Sequence, residues 1–332
     1  MANHNKNPFT PTFGSIPLQL AGRDKIINDI LDGLDNNPGD PNRATIFIGA
    51  RGSGKTVLLA KIAEEASAYG WICVNVNADI NMLDEILIQI RDNAKELLAH
   101  ETLSHITSVS VAGVGFSRDI KQNNKKSTWR SEMTSILKEL NEKKVGLLIT
   151  VDELDARIDE LRTLITTFQH FIRERRDVAL LMAGLPQSTS SLLRNDSISF
   201  LRRAFQHRLE SVDESEVRFS LRKTIELAGR DIEKEALDIA VVGTKGFPFM
   251  IQLIGYQMWR QNPENNIISI KDAEEGIILA QNDLERMIFD VTYRELSEKD
   301  IAFLTAMLSD KDYSNISDIS KRMSRFLRLT HI

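Results

Sequence analysis

Eight consecutive residues, Gly49-Ala50-Arg51-Gly52-Ser53-Gly54-Lys55-Thr56, carry the spacing G-x-x-x-x-G-K-[ST]. That spacing lets successive backbone N–H groups curl around an anion, with glycines where a side chain would obstruct phosphates or forbid the backbone angles. Lys55 is then placed to reach β- and γ-phosphates and Thr56 to ligate Mg²⁺, while the N-terminus of a following helix adds its positive end. A second pair with chemical potential, Asp152-Glu153, closes an apolar run. Two adjacent carboxylates can divide the work there: Asp152 holds Mg²⁺, directly or through water, and Glu153 orients or deprotonates an attacking water. Asp155, just beyond, reads as a cap for the next helix or as support for the ligands. Either stretch alone would also fit an ordinary turn; it is their pairing that favours phosphate chemistry.

These residues need a scaffold, and the hydrophobic pattern supplies one. The apolar run 44–48 leads into the phosphate loop and a helical pattern, Val57-Leu58-Leu59-Ala60-Lys61-Ile62, leads out, which reads as strand, loop, helix. Gly70 ends that helix, residues 71–77 form a second apolar strand, and a helix runs from about 81 to 98. Residues 145–151 are mostly apolar, as befits a buried parallel strand whose end presents ligands to a site. Helices over 128–143 and 158–175 flank it, a further strand covers 178–184, and a short fifth strand is expected at 208–212. Strands alternating with helices imply a parallel sheet wrapped on both faces. Between 101 and 127 the pattern breaks: 106–111 alternates like a small strand, and Asn123-Asn124-Lys125-Lys126 looks like an exposed turn. This reads as a surface insertion whose Lys121, Lys125, Lys126 and Arg130 form a solvated basic face.

Before the first helix, residues 1–17 read as an extended arm, and Ala21-Gly22-Arg23-Asp24 opens that helix. Beyond Asp213 the pattern is wholly helical, with a helix starting at Pro248 and another from Lys271. From Leu296 two short helices follow, the second carrying Lys321, Arg322, Arg325 and Arg328, like the front half of a helix-turn-helix. The expected units are thus an arm (1–17), a core (18–212), a helical lid (213–290) and a C-terminal segment (291–332).

With 332 residues, 42% of them hydrophobic, the chain can bury a sizeable core. A formal charge of −5 argues against wholesale coating of nucleic acid and leaves room for a local basic patch. The single cysteine, Cys73, cannot form an internal disulfide and suits a reducing cytoplasm as a buried core thiol. The polar N-terminus has no apolar signal core, and no run approaches a membrane span. No Cys/His ligand array and no Ser-His-Asp arrangement competes, since the six histidines are scattered.

The phosphate loop, the strand ending in Asp152-Glu153, the Ala21–Asp24 opening and the helical lid together resemble AAA+ or STAND-type ATPases. The likeness is to bacterial and archaeal relatives of origin-recognition and initiator ATPases, over roughly residues 15–285. The resemblance implies an α/β fold, a parallel P-loop NTPase sheet flanked by helices, followed by an all-α lid and a partial helix-turn-helix. It implies ATP/ADP and Mg²⁺ as cofactors, with adenine favoured because no [NT]-K-x-D stretch for guanine follows the loop. Gly22-Arg23 would then help enclose the adenine, the alternative being that Arg23 caps or solvates a helix. Gly246-Phe247-Pro248 resembles the G-x-P opening of a STAND lid helix, where Pro248 lies against the base.

Departures from the family pattern are also legible. The fourth strand ends Met182-Ala183-Gly184, with no polar residue to sense the γ-phosphate, and no arginine stands in the lid helix at 246–249. Arg203, or alternatively Arg202, stands before the fifth strand, where an arginine can reach the γ-phosphate of its own or a neighbouring subunit; a surface ion pair is the other reading. The winged-helix-like end lacks a full recognition helix and wings, so weak, sequence-indifferent DNA contact or a plain solvated face both remain open. An ATPase is the leading expectation, a nucleotide-dependent switch with little turnover the alternative, and a homo-oligomer or protein partner fits either. A kinase would share the loop without explaining the lid.

Overall fold

The apolar runs do pair edge to edge. In the computed structural model, which describes residues 6–94 apart from 13, 122–289, and 293–329 apart from 295 and 312, five strands form one sheet. They are β1 (Ala44–Ile48), β2 (Ile72–Asn77), β3 (Leu147–Asp152), β4 (Val178–Gly184) and β5 (Phe205–Arg208), in the order β2-β3-β4-β1-β5 with every pairing parallel. Every residue of β3 and β4 is buried, because helices cover both faces. On one face α1 (Asp24–Asp35) and α2 (Lys55–Ala68) pack Ile30, Leu58 and Ile62 against Phe47, Leu148 and Leu181. On the other, α3 (Met82–Ala94), α4 (Gln122–Glu142) and α5 (Asp159–Arg173) pack Ile86, Leu137 and Phe168 around Ile46, Ile149 and Met182. The short helix α6 (Pro186–Leu193) and a 3₁₀ segment, Asp196–Arg203, lead into β5.

The fifth strand lies earlier than the pattern predicts. Pairing with β1 begins at Thr45 opposite Phe205 and ends at Ile48 opposite Arg208. The next residues, expected to be the strand, leave the sheet for the lid: Leu209 N–H still donates to Ile48 O (2.7 Å), but Val212 N–H donates to Gly246 O (2.8 Å). Helix α4 likewise starts earlier than expected and takes in Asn123–Lys126, because nothing between 122 and 142 is Gly or Pro to stop it. The small strand expected at 106–111, the rest of the insertion up to Lys121, the far end of α3 to 98 and Met1–Asn5 of the arm lie outside the described residues. Arg130, placed in a solvated basic face, pairs with Glu174 at 3.7 Å.

The lid comprises α7 (Glu214–Leu227), α8 (Lys234–Thr244), α9 (Pro248–Gln261) and α10 (Ile270–Leu284) around a separate apolar centre that includes Leu221, Leu237, Ile254 and Met258. It is not wholly helical. Two-residue strands β6 (Asp231–Ile232) and β7 (Ile267–Ile268) pair in parallel just before α8 and α10, giving partners to backbone groups that enter those helices extended. The C-terminal pair, α11 (Glu298–Met307) and α12 (Ile316–Leu329), follows. Among the described residues no helix is long and apolar enough to cross a membrane.

Arg43, just before β1, is 1% exposed and ties the lower edge of the sheet to α1. Its guanidinium donates to Gly33 O (2.8 Å), Leu34 O (2.6 Å), Asn36 O and Asp177 Oδ1 (2.5 Å), and stacks over Trp71 at 5.1 Å. Removing it strands several buried carbonyls and a carboxylate, so Arg43→Ala lowers the unfolding free energy by about 3–5 kcal/mol in urea denaturation. A loss below about 1 kcal/mol contradicts the assignment.

Candidate active site

The phosphate loop follows β1 and is fixed to the next strand at once: Gly49 N–H donates to Gly184 O at 3.3 Å. Gly54, the N-cap of α2, has φ +86°, and Gly52 has φ +76°. A Cβ on Gly52 would lie 2.9 Å from the Phe247 ring, so the loop is shaped both by its own backbone angles and by the lid above it. Lys55 Nζ donates to Gly49 O (3.0 Å) and Ala50 O (2.9 Å), which folds the ammonium back over the loop. Burial pulls the Lys55 pKa down, while the charges of Asp152 and Glu153 oppose that shift.

Thr56 Oγ1 donates to Asp152 Oδ2 at 2.5 Å, joining the first turn of α2 to the tip of β3. Asp152 is 8% exposed, and its Oδ1 accepts the Glu153 N–H at 2.8 Å. Glu153 is exposed and adopts φ +53°, a left-handed conformation that costs a non-glycine residue about 1 kcal/mol. Hydroxyl and carboxylate oxygens are hard donors of the kind Mg²⁺ takes, with phosphates and water completing its shell. No group of three or more His, Cys, Asp or Glu converges among the described residues, so a metal cage made by protein alone is not what the site offers.

A cavity of about 470 Å³ opens beside the loop. Residues 51–57 form its floor, Pro248, Phe249 and Gln252 of α9 one wall, and the N-terminal arm from Thr10 to Gln19 another. Pro248 and Arg23 both line it; Gly49 and Ala50 do not, and their carbonyls accept from Lys55 Nζ. Arg23 stands at the N-cap position of α1, where its backbone carbonyl accepts from Ile27 N–H (3.0 Å), but its side chain neither caps the helix nor lies in solvent: it is 8% exposed and donates to Glu210 O at 3.1 Å. The hydroxyls of Thr10 and Ser53, residues that line this cavity, are buried without a hydrogen-bond partner. Asp155 caps no helix: it accepts from the backbone and guanidinium of Arg157, which holds its carboxyl down at about 2.

No protein-family model matches the sequence, and no curated protein matches it. Solved structures do match in shape. The Walker-type ATPase PABY2304 of Pyrococcus abyssi superposes with a TM-score of 0.61 at 14% identity, over 94% of this chain and 87% of that one. Cdc6p of Pyrobaculum aerophilum gives 0.55 at 17% identity, over 94% and 82%. The ORC2 protein of Aeropyrum pernix gives 0.52 at 16% identity, over 95% and 82%. The chain has the AAA+ P-loop ATPase fold. Within that AAA+ frame, the end of β4 explains the missing polar residue: a Cβ on Gly184 would lie 2.9 Å from Leu154 Cβ and 3.0 Å from Thr189 Oγ1, so the space is taken.

Arg203 is exposed, ends the 3₁₀ segment two residues before β5 begins, and its side chain makes no hydrogen bond or ion pair among the described residues. Arg202, the alternative, donates to Leu193 O at 2.8 Å and pairs with Asp196 at 3.5 Å. At the chain's end Arg322 is spent on the α11–α12 junction, donating to Ala306 O and to both Asp310 oxygens at 2.8 Å, and Lys321 pairs with Asp318. The side chains of Arg325 and Arg328 lie outside the described residues.

Sequence reading missed the arm as a cavity wall. Phe9 is 2% exposed and fills the space beside Gly255, where a Cβ would lie 2.4 Å from its ring; aromatics in an otherwise polar arm were the available signal. The lid itself hangs on Gly246, whose φ is +69° and where a Cβ would lie 2.4 Å from Val212 O. Both the angle and the backbone clash bar a side chain, so Gly246→Ala destabilises the protein by about 2–3 kcal/mol, read as a lowered thermal midpoint. An unchanged midpoint would mean that the lid is not held through this crossing.

Proposed function

We propose that the chain binds ATP with Mg²⁺ in the cavity beside the phosphate loop and hydrolyses it, with nucleotide state setting the relation of lid to core. The observation that carries this reading is the Thr56–Asp152 hydrogen bond beside Lys55, which brings a loop that fits phosphates and a carboxylate that fits a metal to one point. The ORC2 protein of Aeropyrum pernix, solved as ADPNP–ADP complexes, shares the fold and supports nucleotide as the ligand class. Cytoplasm is the compartment that fits an unpaired, buried Cys73.

Lys55 would exchange the Gly49 and Ala50 carbonyls for β- and γ-phosphate oxygens, and Thr56 and Asp152 would hold Mg²⁺. That ion, when bound, neutralises charge on the transferred phosphoryl group. Glu153, its N–H pinned by Asp152, would orient the attacking water or take its proton. Pro248 and Phe249 above the loop, with the arm opposite, would exclude bulk water from the base and ribose. Arg203 would act on the γ-phosphate of its own site or, across a subunit interface, on that of a second copy. A switch with little turnover is the second reading, favoured by the filled space at Gly184. DNA contact from the C-terminal segment draws support from charge pattern alone, and Arg322 is not free to make it.

Lys55→Ala weakens ATP binding about a hundredfold or more by calorimetry. Glu153→Gln keeps ATP affinity while phosphate release slows by about 10²–10⁴. Wild-type behaviour in both variants rejects the site. Wild-type ATP binding without turnover, unaltered in Glu153→Gln, selects the switch.

Arg203→Ala leaves ATP affinity intact and lowers turnover by about 10³. If Arg203 acts on a second copy, mixing the variant with Lys55→Ala protein restores part of the rate, because an intact Arg203 then meets an intact loop. Absence of rescue, with wild-type turnover independent of concentration, assigns it to its own site, and an unchanged rate in Arg203→Ala removes it from the mechanism.

A further inference from the structure

Two arginines line the cavity beside the phosphate loop, and one of them is already engaged. Arg23 is buried and donates to Glu210 O. Arg51, inside the loop, is exposed, and its side chain makes no hydrogen bond or ion pair among the described residues. A free guanidinium is nothing unusual on this chain, since Arg173, Arg175 and Arg222 are exposed without an ion pair as well. What sets Arg51 apart is where the fold holds it.

Ser53 N–H donates to Ala50 O at 3.3 Å, which closes a four-residue turn with Arg51 and Gly52 at its corners. Gly52 has φ +76° whereas Arg51 keeps a negative φ, the pattern of a type II turn, whose second corner favours glycine and whose first takes an ordinary side chain. The same Ala50 carbonyl accepts from Lys55 Nζ at 2.9 Å, and Gly49 O does so at 3.0 Å. The corner that carries Arg51 thus comes directly after the carbonyls that hold the ammonium, at the end of the loop that takes β- and γ-phosphates. The proximity is felt electrostatically: burial is the main cause that pulls the Lys55 pKa down and the charge of Arg51 adds to it, while Asp152 and Glu153 oppose. Two cations held this close repel, and an oxyanion between them removes the repulsion. Elsewhere around that end the structure offers few cationic or polar groups, since β4 finishes in Gly184 with the space filled and residues 246–249 contain no arginine. A guanidinium suits the place, because its planar fork matches two phosphate oxygens at once.

We propose that the Arg51 side chain binds the terminal phosphate of ATP in the chain's own site and makes the cavity prefer the triphosphate to the diphosphate. The assignment rests on the nucleotide reading given above. With ADP the terminal position is empty and the guanidinium stays in solvent, whereas Lys55 meets phosphate in either case. Arg51 therefore governs affinity, unlike Arg203, whose loss is expected to slow turnover and leave affinity intact.

The full chain is titrated by calorimetry with ADPNP, which resists hydrolysis, and with ADP, both with Mg²⁺, as wild type, Arg51→Gln and Arg51→Lys. Wild type binds ADPNP more tightly than ADP. Arg51→Gln weakens ADPNP about tenfold or more and ADP by less than about twofold, and Arg51→Lys recovers part of the loss by returning the charge without the fork. The thermal midpoint without nucleotide stays unchanged in both variants, because the exposed Arg51 side chain bonds to nothing that holds the fold, which separates loss of the contact from loss of structure. Equal weakening of the two nucleotides, or none of either, overturns the assignment and leaves the cavity reading standing. If wild type binds neither nucleotide, the cavity reading falls and the role of Arg51 falls with it.

Discussion

The hydroxyl of Thr56 and the carboxylate of Asp152 arrive from strands that do not touch, and the core is arranged so that they meet at 2.5 Å. Strand β4 separates β1 from β3, and its Met182 lies abreast of both Ile46 and Val151. Those two pairings set how far each flanking strand extends past the common level. Asp152 then comes one residue later on one side, and the loop returns Thr56 on the other. Side chains alternate faces along a strand, so a one-residue slip of β3 would swing Asp152 away from α2. With helices on both sides and every residue of β3 and β4 buried, apolar character alone does not fix that register. Shape does: Leu148 and Leu181 must meet α2, while Ile149 and Met182 must meet α5 and its neighbours.

How much of this the sequence exposes depends on the range over which each constraint acts. β1, the loop and α2 are local: an apolar run, glycines at fixed spacing and a helical pattern follow one another, and their observed bounds match the expectation closely. Asp152 is legible for the same reason. The fifth strand is displaced because an edge strand has a partner on one side only, and burial gives it no apolar signature: Phe205, Gln206 and Arg208 are exposed. Which residues pair there is decided by β1, 160 residues earlier in the chain, an effect that no local pattern carries. Arg23 illustrates the same limit. Its place before a helix suggests capping, but its partner, Glu210 O, comes from the far end of the core.

The end of β4 is half legible. That Gly184 brings no polar side chain is plain from the residue itself. That none could be accommodated follows from Leu154 and Thr189, brought together by the turn after β3 and by α6. Leu154 N–H donates to Ala183 O at 3.0 Å, so the chain leaving Glu153 is stitched directly to β4. The same stitch supports the left-handed Glu153, whose strain of about 1 kcal/mol is held by bonds on either side of it. Position of the carboxylate and lack of a polar residue on β4 are thus one structural fact. A side chain at 184 would push on Leu154 and, through it, on the residue proposed to orient water.

The arm shows how the cavity is tied to the lid. Asn7 Nδ2 donates to Tyr256 O (3.0 Å), Thr10 N–H to Gln252 Oε1 (3.2 Å), and Phe9 sits against Gly255, all on α9. Further along, Ser220 of α7 donates to Gln19 O at 3.3 Å. From residue 7 to 19, then, the named anchors are on the lid, and the chain turns to the core only where Arg23 meets Glu210. The lid in turn joins the core where Val212, two residues past Glu210, donates its N–H to Gly246 O. Two of the cavity's walls therefore belong to one body and its floor to another, with both crossings between them close together. On the function proposed above, a rotation about that junction would carry α9 and the arm together over the phosphate loop and change the room for base and ribose, so that nucleotide grip and lid position would be coupled through the arm as well as through Pro248.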